Sequence, residues 1–171
     1  MTPTPAPIPL PFRIGHGYDL HRLQTGGKLV LAGVVVSDQI SLIAHSDGDV
    51  VLHALVDALL GAMGWGDIGE HFSDKDEQWK NANSRIFVEH VYGEVRKAGY
   101  KLLNMDVTLL AERPKLKPFK PAMIQSLRQM IGHSKDDEAG INIKAGTNEG
   151  CDAIGKGEAI ASHAVVLLAR V

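Results

Sequence analysis

Residues 49–61 read DVVLHALVDALLG, and the remainder of the chain is interpreted outward from this stretch. Its polar side chains, Asp49, His53 and Asp57, recur every four residues, and almost every other position is apolar. This spacing predicts a helix over residues 49–60 that is buried on most sides and carries one polar stripe. A histidine inside such an apolar helix needs a polar partner, because an unpaired imidazole is costly to bury.

On both sides of this helix, strand-like segments alternate with helix-like ones. Runs of β-branched or alternating residues predict strands, and apolar residues at helical spacing predict helices. The predicted strands are residues 12–22, 28–36, 102–111, 141–147 and, for most of its length, 158–171. The further predicted helices are residues 84–99, with Ser84 as the capping residue, and 121–131. Strands interleaved with helices predict a single α/β (α+β) domain with helices packed on a sheet.

The composition excludes several classes of protein. The chain has 171 residues, 44% of them hydrophobic, which is enough to form one core without disulfides or metal. Its 18 basic and 20 acidic side chains give a net charge of −2, which disfavours nucleic acid as a partner. No run approaches the roughly 18 apolar residues of a membrane span. The single cysteine, Cys151, excludes an internal disulfide and fits a reducing compartment.

The first eleven residues, MTPTPAPIPLP, contain five prolines and no charged side chain. This composition predicts a flexible tail over residues 1–11, ahead of one domain over 12–171. The tail lacks the basic region and the continuous apolar core of a signal peptide, which favours the cytoplasm of a bacterium. A trimmed transit-peptide remnant would instead place the protein in a plastid.

Asp19 and His21 are two residues apart on the first predicted strand, so their side chains project from the same face. With His53 as a third ligand they would give two imidazoles, one carboxylate and an open fourth position, which is typical of catalytic zinc. Asp57, one turn from His53, is placed to orient its ring. The alternative, a polar outer face on an edge strand, stays open on this spacing alone.

Two loops next to the first helix have alternative interpretations. Residues 44–49, AHSDGD, come directly before a helix N-terminus, where backbone N–H groups favour anions; ordinary capping explains them equally well. Residues 64–76, GWGDIGEHFSDKD, carry glycines that let a backbone approach a ligand closely, or form a plain connector.

Taken in order, these segments resemble the 2-C-methyl-D-erythritol 2,4-cyclodiphosphate synthase family. The resemblance spans residues 12–171, and several motifs in the right order are far more specific than any one of them. The matching segments are GHGYDLH (15–21), AHSDGDV (44–50), HALVDALLG (53–61), GDIG (66–69), DVTLLAERPK (106–115), KAGTNE (144–149) and GKGEAIA (155–161).

The resemblance implies an enzyme of the non-mevalonate isoprenoid pathway. Its substrate would be 4-diphosphocytidyl-2-C-methyl-D-erythritol 2-phosphate, closed to the cyclic diphosphate with release of CMP. It also implies a homotrimer of subunits that each have a mixed sheet with helices on one face, and active sites between neighbouring subunits.

The resemblance also assigns roles to residues. Asp19, His21 and His53 would bind zinc, and Glu149 would bind Mg²⁺ or Mn²⁺ with the substrate diphosphate. His45 and Thr147 would be the transition-state contacts. Residues 111–117 would form the cytidine pocket. The implied substrate-binding positions are Asp19, His21, His45, Ser46, Asp67, Ile68, Gly69, Phe72, Asp74, Asp76, Ala111, Arg113, Pro114, Lys115, Leu116, Lys117, Ala145, Gly146, Thr147, Asn148, Glu149, Ala153 and Lys156.

The sequence departs from the family pattern at Gly146, Ala153 and Lys156, where many relatives have threonine, an aromatic residue and arginine. The lysine at position 156 keeps the charge of arginine but cannot form its bidentate hydrogen bonds. Two other functions stay open at this point: a metal-dependent phosphohydrolase, and a non-catalytic trimeric module that binds an isoprenoid phosphate.

Overall fold

The structure is a computed structural model that describes residues 11–44, 46–73, 76–79, 82–132 and 139–171. Its strands are β1 (Phe12–Thr25), β2 (Leu29–Leu31), β3 (Val34–Ser37), β4 (Ile40–Leu42), β5 (Tyr100–Leu110), β6 (Gly140–Gly146) and β7 (Ala159–Arg170). Its α-helices are α1 (Val50–Met63), α2 (Ile68–His71), α3 (Arg85–Lys97), α4 (Lys120–Met130) and α5 (Asp152–Gly155). Short 3₁₀ turns cover Glu77–Trp79 and Lys117–Phe119. The predicted tail over residues 1–11 lies outside the described residues, apart from Pro11.

Five strands form one mixed sheet in the order β4-β1-β7-β5-β6. Only the β5–β6 pair is parallel among these described strands; the other neighbours run antiparallel. Helix α1 packs against β1 and β7, α3 contacts β5, and α4 contacts β6. The predicted mixed sheet with packed helices is therefore confirmed. No helix in the described part of the chain is long and apolar enough to cross a membrane.

Helix α1 forms the centre of the core, as its apolar pattern predicts. Every apolar side chain of the helix is buried, and His53 and Asp57 form the polar stripe. The helix lies so close to β1 that only glycine fits between them. A Cβ atom at Gly17 would lie 1.9 Å from the carbonyl oxygen of Ala54, and one at Gly15 would lie 1.8 Å from that of Ala58. The GHG segment therefore sets how closely α1 packs on the strand.

The opposite face of β1 carries a row of apolar side chains exposed to solvent. Phe12 is 55% exposed, Ile14 72%, Tyr18 47% and Leu20 42%. Side chains alternate between the two faces along a strand, so these residues point away from α1, whereas the glycines point towards it. One strand thus presents glycine to the helix and large apolar groups to the outside.

The single strand predicted over residues 28–36 is wrong, because the segment forms the two-stranded hairpin β2–β3. Ala32 and Gly33 between the strands both have positive φ, at 50° and 74°, as tight hairpin turns require. The buried Asp49 holds this turn: its Oδ1 accepts the Ala32 N–H at 2.9 Å and its Oδ2 accepts the Gly33 N–H at 2.7 Å. Asp49 also caps α1 by accepting the amides of Val51 and Leu52.

Candidate metal centre and active site

Asp19, His21 and His53 lie together where β1 faces the start of α1. The Oδ2 of Asp19 lies 3.2 Å from Nε2 of His21 and 3.0 Å from Nδ1 of His53. One ligand atom from each of the three residues lies within 4.8 Å of the others. These side chains therefore form a group that could hold a metal ion, as the D-x-H spacing and the helical histidine predict.

The chemistry of these donors fits a divalent cation. His21 Nδ1 lies 3.1 Å from the carbonyl oxygen of Ile43, which can only accept, so this nitrogen carries a proton. The other nitrogen of the neutral ring then turns its lone pair to the Asp19 carboxylate. A lone pair and a carboxylate oxygen repel each other unless a proton or a cation lies between the two atoms. Imidazole nitrogen and carboxylate oxygen are ligands that zinc prefers.

The ionisation of the cluster follows from the same contacts. Burial by itself would raise the pKa of Asp19, but hydrogen bonds and attraction from His21 and His53 outweigh it and hold this pKa well below its usual range. The hydrogen bond to Asp19 raises the pKa of His21. The carboxylate is therefore charged at neutral pH and can bind a cation directly.

The cluster opens into a cavity of about 400 Å³. Ser46, Ile68, Gly69 and Phe72, all predicted to bind substrate, line it together with the three cluster residues. Ala44, Trp79 and Phe87 complete the lining, and these three were not predicted from the sequence. Phe72 lies 4.5 Å from Phe87 and 5.4 Å from Trp79 between ring centroids, so one wall of the cavity is aromatic.

The prediction that Asp57 orients the His53 ring is wrong in this structure. Both ring nitrogens face other groups: Nδ1 faces Asp19, and Nε2 faces the hydroxyls of Ser84 at 2.8 Å and Ser46 at 3.1 Å. Asp57 instead accepts the Ile68 N–H at 2.8 Å, and burial raises its pKa. Its role is therefore to attach the start of α2 to α1.

The prediction that Ser84 caps the second long helix is also wrong. Ser84 occupies the N-cap position of α3, but its side chain makes no capping hydrogen bond. Its hydroxyl contacts His53 and Asp47 instead. A serine before a helix is so common that no sequence signal points to this contact, and Ser84 is a further polar residue that the sequence analysis missed.

Several other predicted positions lie around α2. Asp67 caps the helix, since its carboxylate accepts the Glu70 N–H at 3.1 Å. Asp76 is exposed, and its Oδ1 accepts the Gln78 N–H at 3.1 Å. His45 and Asp74 lie outside the described residues.

A second group of predicted residues gathers where the parallel strands β5 and β6 end. The Ala111 N–H donates to the Gly146 carbonyl at 3.0 Å. The Asn148 N–H donates to Glu112 Oε1 at 3.0 Å, and Thr147 Oγ1 donates to Glu149 Oε1 at 3.1 Å. The side-by-side strand ends therefore bring the start of residues 111–117 next to residues 145–149, as parallel pairing requires.

The side chains of this second group differ in exposure. Ala111 and Leu116 are buried, so the ligand contacts predicted at these two positions would have to come from the backbone. The predicted positions with exposed side chains or surfaces are Arg113, Lys115, Lys117, Ala145, Gly146, Thr147, Glu149, Ala153 and Lys156, whereas Pro114 and Asn148 are partly buried.

The second group lies apart from the cavity of the metal cluster within the described part of one chain. In the part of the chain that the structure describes, no residue of 111–117 or 145–156 lines the cavity of the metal cluster. Both groups lie towards the same end of the sheet, but β7 separates β1 from β5. Neighbouring strands are about 4.8 Å apart, so β1 and β5 lie about 10 Å apart.

Comparison with known proteins assigns the family. Residues 12–169 match the YgbB family. The 2-C-methyl-D-erythritol 2,4-cyclodiphosphate synthase of Vibrio vulnificus (strain YJ016) is 49% identical over 92% of this chain and 98% of its own length. The chloroplastic synthase of Oryza sativa subsp. japonica is 45% identical over 97% of this chain and 73% of its own length.

A solved structure agrees with these relatives. The IspF of Plasmodium falciparum, described as a CDP complex, is 31% identical and has a TM-score of 0.80, over 93% of this chain and 96% of that one. The sequence matches, the shared fold and the Asp-His-His cluster all point the same way. The chain therefore belongs to the YgbB family, the family of the 2-C-methyl-D-erythritol 2,4-cyclodiphosphate synthases.

Proposed function

We propose that this chain converts 4-diphosphocytidyl-2-C-methyl-D-erythritol 2-phosphate to 2-C-methyl-D-erythritol 2,4-cyclodiphosphate and CMP, in non-mevalonate isoprenoid precursor biosynthesis. The observation that carries the proposal is the Asp19, His21 and His53 cluster, open to a cavity of about 400 Å³, in a chain whose relatives are named for this reaction. The phosphohydrolase and binding-module alternatives have no such support.

The reaction is an intramolecular phosphoryl transfer. An oxygen of the 2-phosphate forms a bond to the β-phosphorus, and the bond from this phosphorus to the oxygen shared with the CMP phosphorus breaks. CMP leaves with that oxygen and the bonding electron pair. The nucleophile belongs to the substrate, so the protein has to supply proximity and charge neutralisation and not a reactive serine or cysteine.

The first group of residues would act on the 2-phosphate and the erythritol part. Asp19, His21 and His53 would hold a zinc ion, which supplies Lewis-acid neutralisation of the phosphate when bound. Ser46 lines the same cavity and can donate its hydroxyl to a phosphate oxygen. Asp67 and the α2 backbone at Ile68 and Gly69 would bind the erythritol hydroxyls.

The second group would bind the cytidine diphosphate. We propose that residues 111–117 bind the base through backbone groups, and that Lys115 lies near the phosphates. Glu149 would hold Mg²⁺ or Mn²⁺ with the diphosphate, because a lone carboxylate binds magnesium only together with phosphate and water ligands. Thr147, hydrogen-bonded to Glu149, would contact the transition state together with His45. The CDP complex of the Plasmodium falciparum relative supports a cytidine nucleotide as ligand.

The functional unit would be a homotrimer with each active site between two subunits. The exposed apolar row on β1 supports assembly, since solvent-exposed contiguous apolar surface marks an interaction site. The division of the predicted substrate residues between two separate places in one chain supports a shared site, because a neighbouring subunit can bring the two halves together.

Product analysis of the purified protein with the diphosphocytidyl substrate and magnesium tests the reaction. We expect the cyclic diphosphate and CMP, whereas a phosphohydrolase would give an open phosphate monoester and a binding module would leave the substrate unchanged. His53→Ala should abolish cyclisation and metal binding with the fold retained. Full zinc occupancy in His53→Ala, measured by elemental analysis, would contradict the ligand assignment.

Mixed assembly tests the shared site. His53→Ala would disable the metal half and Lys115→Glu the cytidine half, so each variant should be inactive alone. Refolded together in equal amounts, they should recover about a quarter of wild-type activity, because a quarter of the randomly formed interfaces pair two intact halves. Mixed trimers, verified by mass, that stay inactive would show that each subunit builds its own site.

A further inference from the structure

Ser84 makes an unusual set of contacts for a serine at the start of a helix. It is fully buried and makes no capping hydrogen bond to α3. Its Oγ contacts Oδ1 of Asp47 on one side and lies 2.8 Å from Nε2 of His53 on the other. The hydroxyl thus links a carboxylate to the ring of a proposed metal ligand.

The hydrogen atoms in this link can be assigned by elimination. The two oxygens of the Ser84–Asp47 contact lie close enough to need a proton between them, and a carboxylate has none to donate. The single hydroxyl proton of Ser84 is therefore given to Asp47. Towards His53 the same oxygen can only accept, which favours a proton on Nε2 of His53, whereas the Asp19 carboxylate at Nδ1 competes for that proton.

The assignment determines what the other side of the ring offers. With the proton on Nε2, the neutral ring has its lone pair on Nδ1, which lies 3.0 Å from Oδ2 of Asp19. The neutral ring of His21 also has its lone pair on the nitrogen that faces Asp19. Its Nδ1–H donates to the Ile43 carbonyl, so the lone pair is on Nε2. In these tautomers both neutral rings can offer a lone pair to a cation beside Asp19.

We infer that Asp47 and Ser84 are positioning residues that select the Nε2–H tautomer of His53 and so make Nδ1 the metal-binding atom. The carboxylate, hydroxyl and imidazole form a relay like the carboxylate–histidine pairs behind other zinc ligands. The inference rests on the proposed function for the identity of the metal, but the contacts of Ser84 with Asp47 and His53 are present without any metal.

Asp47 is held firmly enough for this role. Its Oδ2 accepts the Ser84 N–H at 3.0 Å, its Oδ1 accepts the Asp49 N–H at 3.2 Å, and its own N–H donates to the Ala82 carbonyl at 3.2 Å. The loop before α1 is thereby attached to the start of α3. Ser46, whose Oγ lies 3.1 Å from Nε2, has no such carboxylate partner for its proton among the described residues and accepts the Gly48 N–H at 3.3 Å.

The experiment compares Ser84→Ala with the wild type and with Ser162→Ala. Ser162 is a matched control, because it is equally buried and its hydroxyl has no hydrogen-bond partner among the described residues. Zinc affinity is measured on the metal-free protein by competition with a chelator. Loss of a group that orients a ligand typically costs 10–100-fold in metal affinity, so we expect about that loss in Ser84→Ala and none in Ser162→Ala.

A second measurement reads the tautomer without any metal. Nitrogen-15 NMR of the imidazole rings at alkaline pH, with the His53 signals identified by their loss in His53→Gln, should show the proton on Nε2 in the wild type. In Ser84→Ala the Asp19 carboxylate should draw the proton to Nδ1. Ser84→Thr keeps the hydroxyl and should restore the wild-type tautomer.

Each outcome separates this inference from the zinc proposal. An unchanged tautomer and unchanged zinc affinity in Ser84→Ala would overturn the inference even if the wild type binds zinc. A wild type that binds no zinc but shows the Nε2–H tautomer, lost in Ser84→Ala, would overturn the zinc proposal and support the relay. If Ser84→Ala does not fold, Asp47→Ala frees the Ser84 proton to donate to His53, and should give the same change of tautomer.

Discussion

Gly17→Ala should disturb both the fold and the metal cluster. Its Cβ would lie 1.9 Å from the Ala54 carbonyl oxygen, whereas carbon–oxygen contacts are normally about 3.3 Å or longer. Strand and helix would have to separate by about 1.4 Å, because both contacting groups are backbone and neither can rotate away. Overpacking typically costs about 1–3 kcal/mol, and this rigid contact should cost about 3 kcal/mol, near the upper end.

Thermal denaturation and zinc binding together measure this disturbance. For a domain of this size about 3 kcal/mol corresponds to a fall in Tm of about 6–12 °C. The same separation moves His53 away from Asp19, whereas ligand distances in metal sites stay within about 0.2 Å of their standard values. We therefore expect zinc binding to be lost at temperatures where Gly17→Ala is still folded.

Gly93→Ala is the matched control. Gly93 lies inside α3, where an added Cβ would meet no heavy atom within 4 Å apart from its chain neighbours and the backbone of the helix itself. Alanine there should stabilise the helix by about 0.5–1 kcal/mol and leave zinc affinity unchanged. A Gly17→Ala protein with wild-type Tm and wild-type zinc affinity would refute the argument that strand–helix contact sets the geometry of the cluster.

Three further variants test other features. Asp49→Asn should lower the free energy of unfolding by about 1–3 kcal/mol in urea denaturation, because an amide nitrogen cannot accept the N–H groups that the carboxylate accepts; an unchanged midpoint would contradict this. Ser162→Ala should leave stability unchanged or slightly higher, since it removes a buried hydroxyl that has no partner among the described residues; a marked loss would reveal an unrecognised hydrogen bond. Burial and repulsion from His16, 3.1 Å away, lower the pKa of His163. As pH falls through the usual histidine pKa, the unfolded state therefore binds this proton before the folded state does, and stability falls. The Tm of His163→Gln should therefore fall less than that of the wild type between neutral and mildly acidic pH. An equal fall would argue against an effect of the His16–His163 pair on stability.

The features that the sequence predicts well depend on local periodicity. The four-residue spacing of His53 and Asp57 places a polar stripe on a buried helix, and the two-residue spacing of Asp19 and His21 puts both on one strand face. In both cases, a repeat over a few residues is enough to fix where side chains point. The long helices and strands could be predicted for the same reason, although their ends in the structure differ from the predicted ends by a few residues.

The features that the sequence analysis missed depend on partners far along the chain. The break between β2 and β3 is held by Asp49, which lies 16 residues beyond Gly33. Ser84 meets Asp47 across 37 residues, and a local capping rule gives the wrong partner for its hydroxyl. Phe87 likewise reaches the aromatic wall of the cavity only because α3 packs beside it.

The alternation along β1 restricts which changes of chain length the protein can accept. Gly15, Gly17, Asp19 and His21 share one face of the strand, and the exposed apolar row shares the other. Deleting or inserting one residue between Phe12 and His21 would turn part of the strand over, since side chains alternate with a period of two. Large side chains would then face the α1 backbone, and glycines would face outward. Substitutions in this strand can act on one face at a time, but a length change of one residue would affect helix packing, metal ligands and outer surface together.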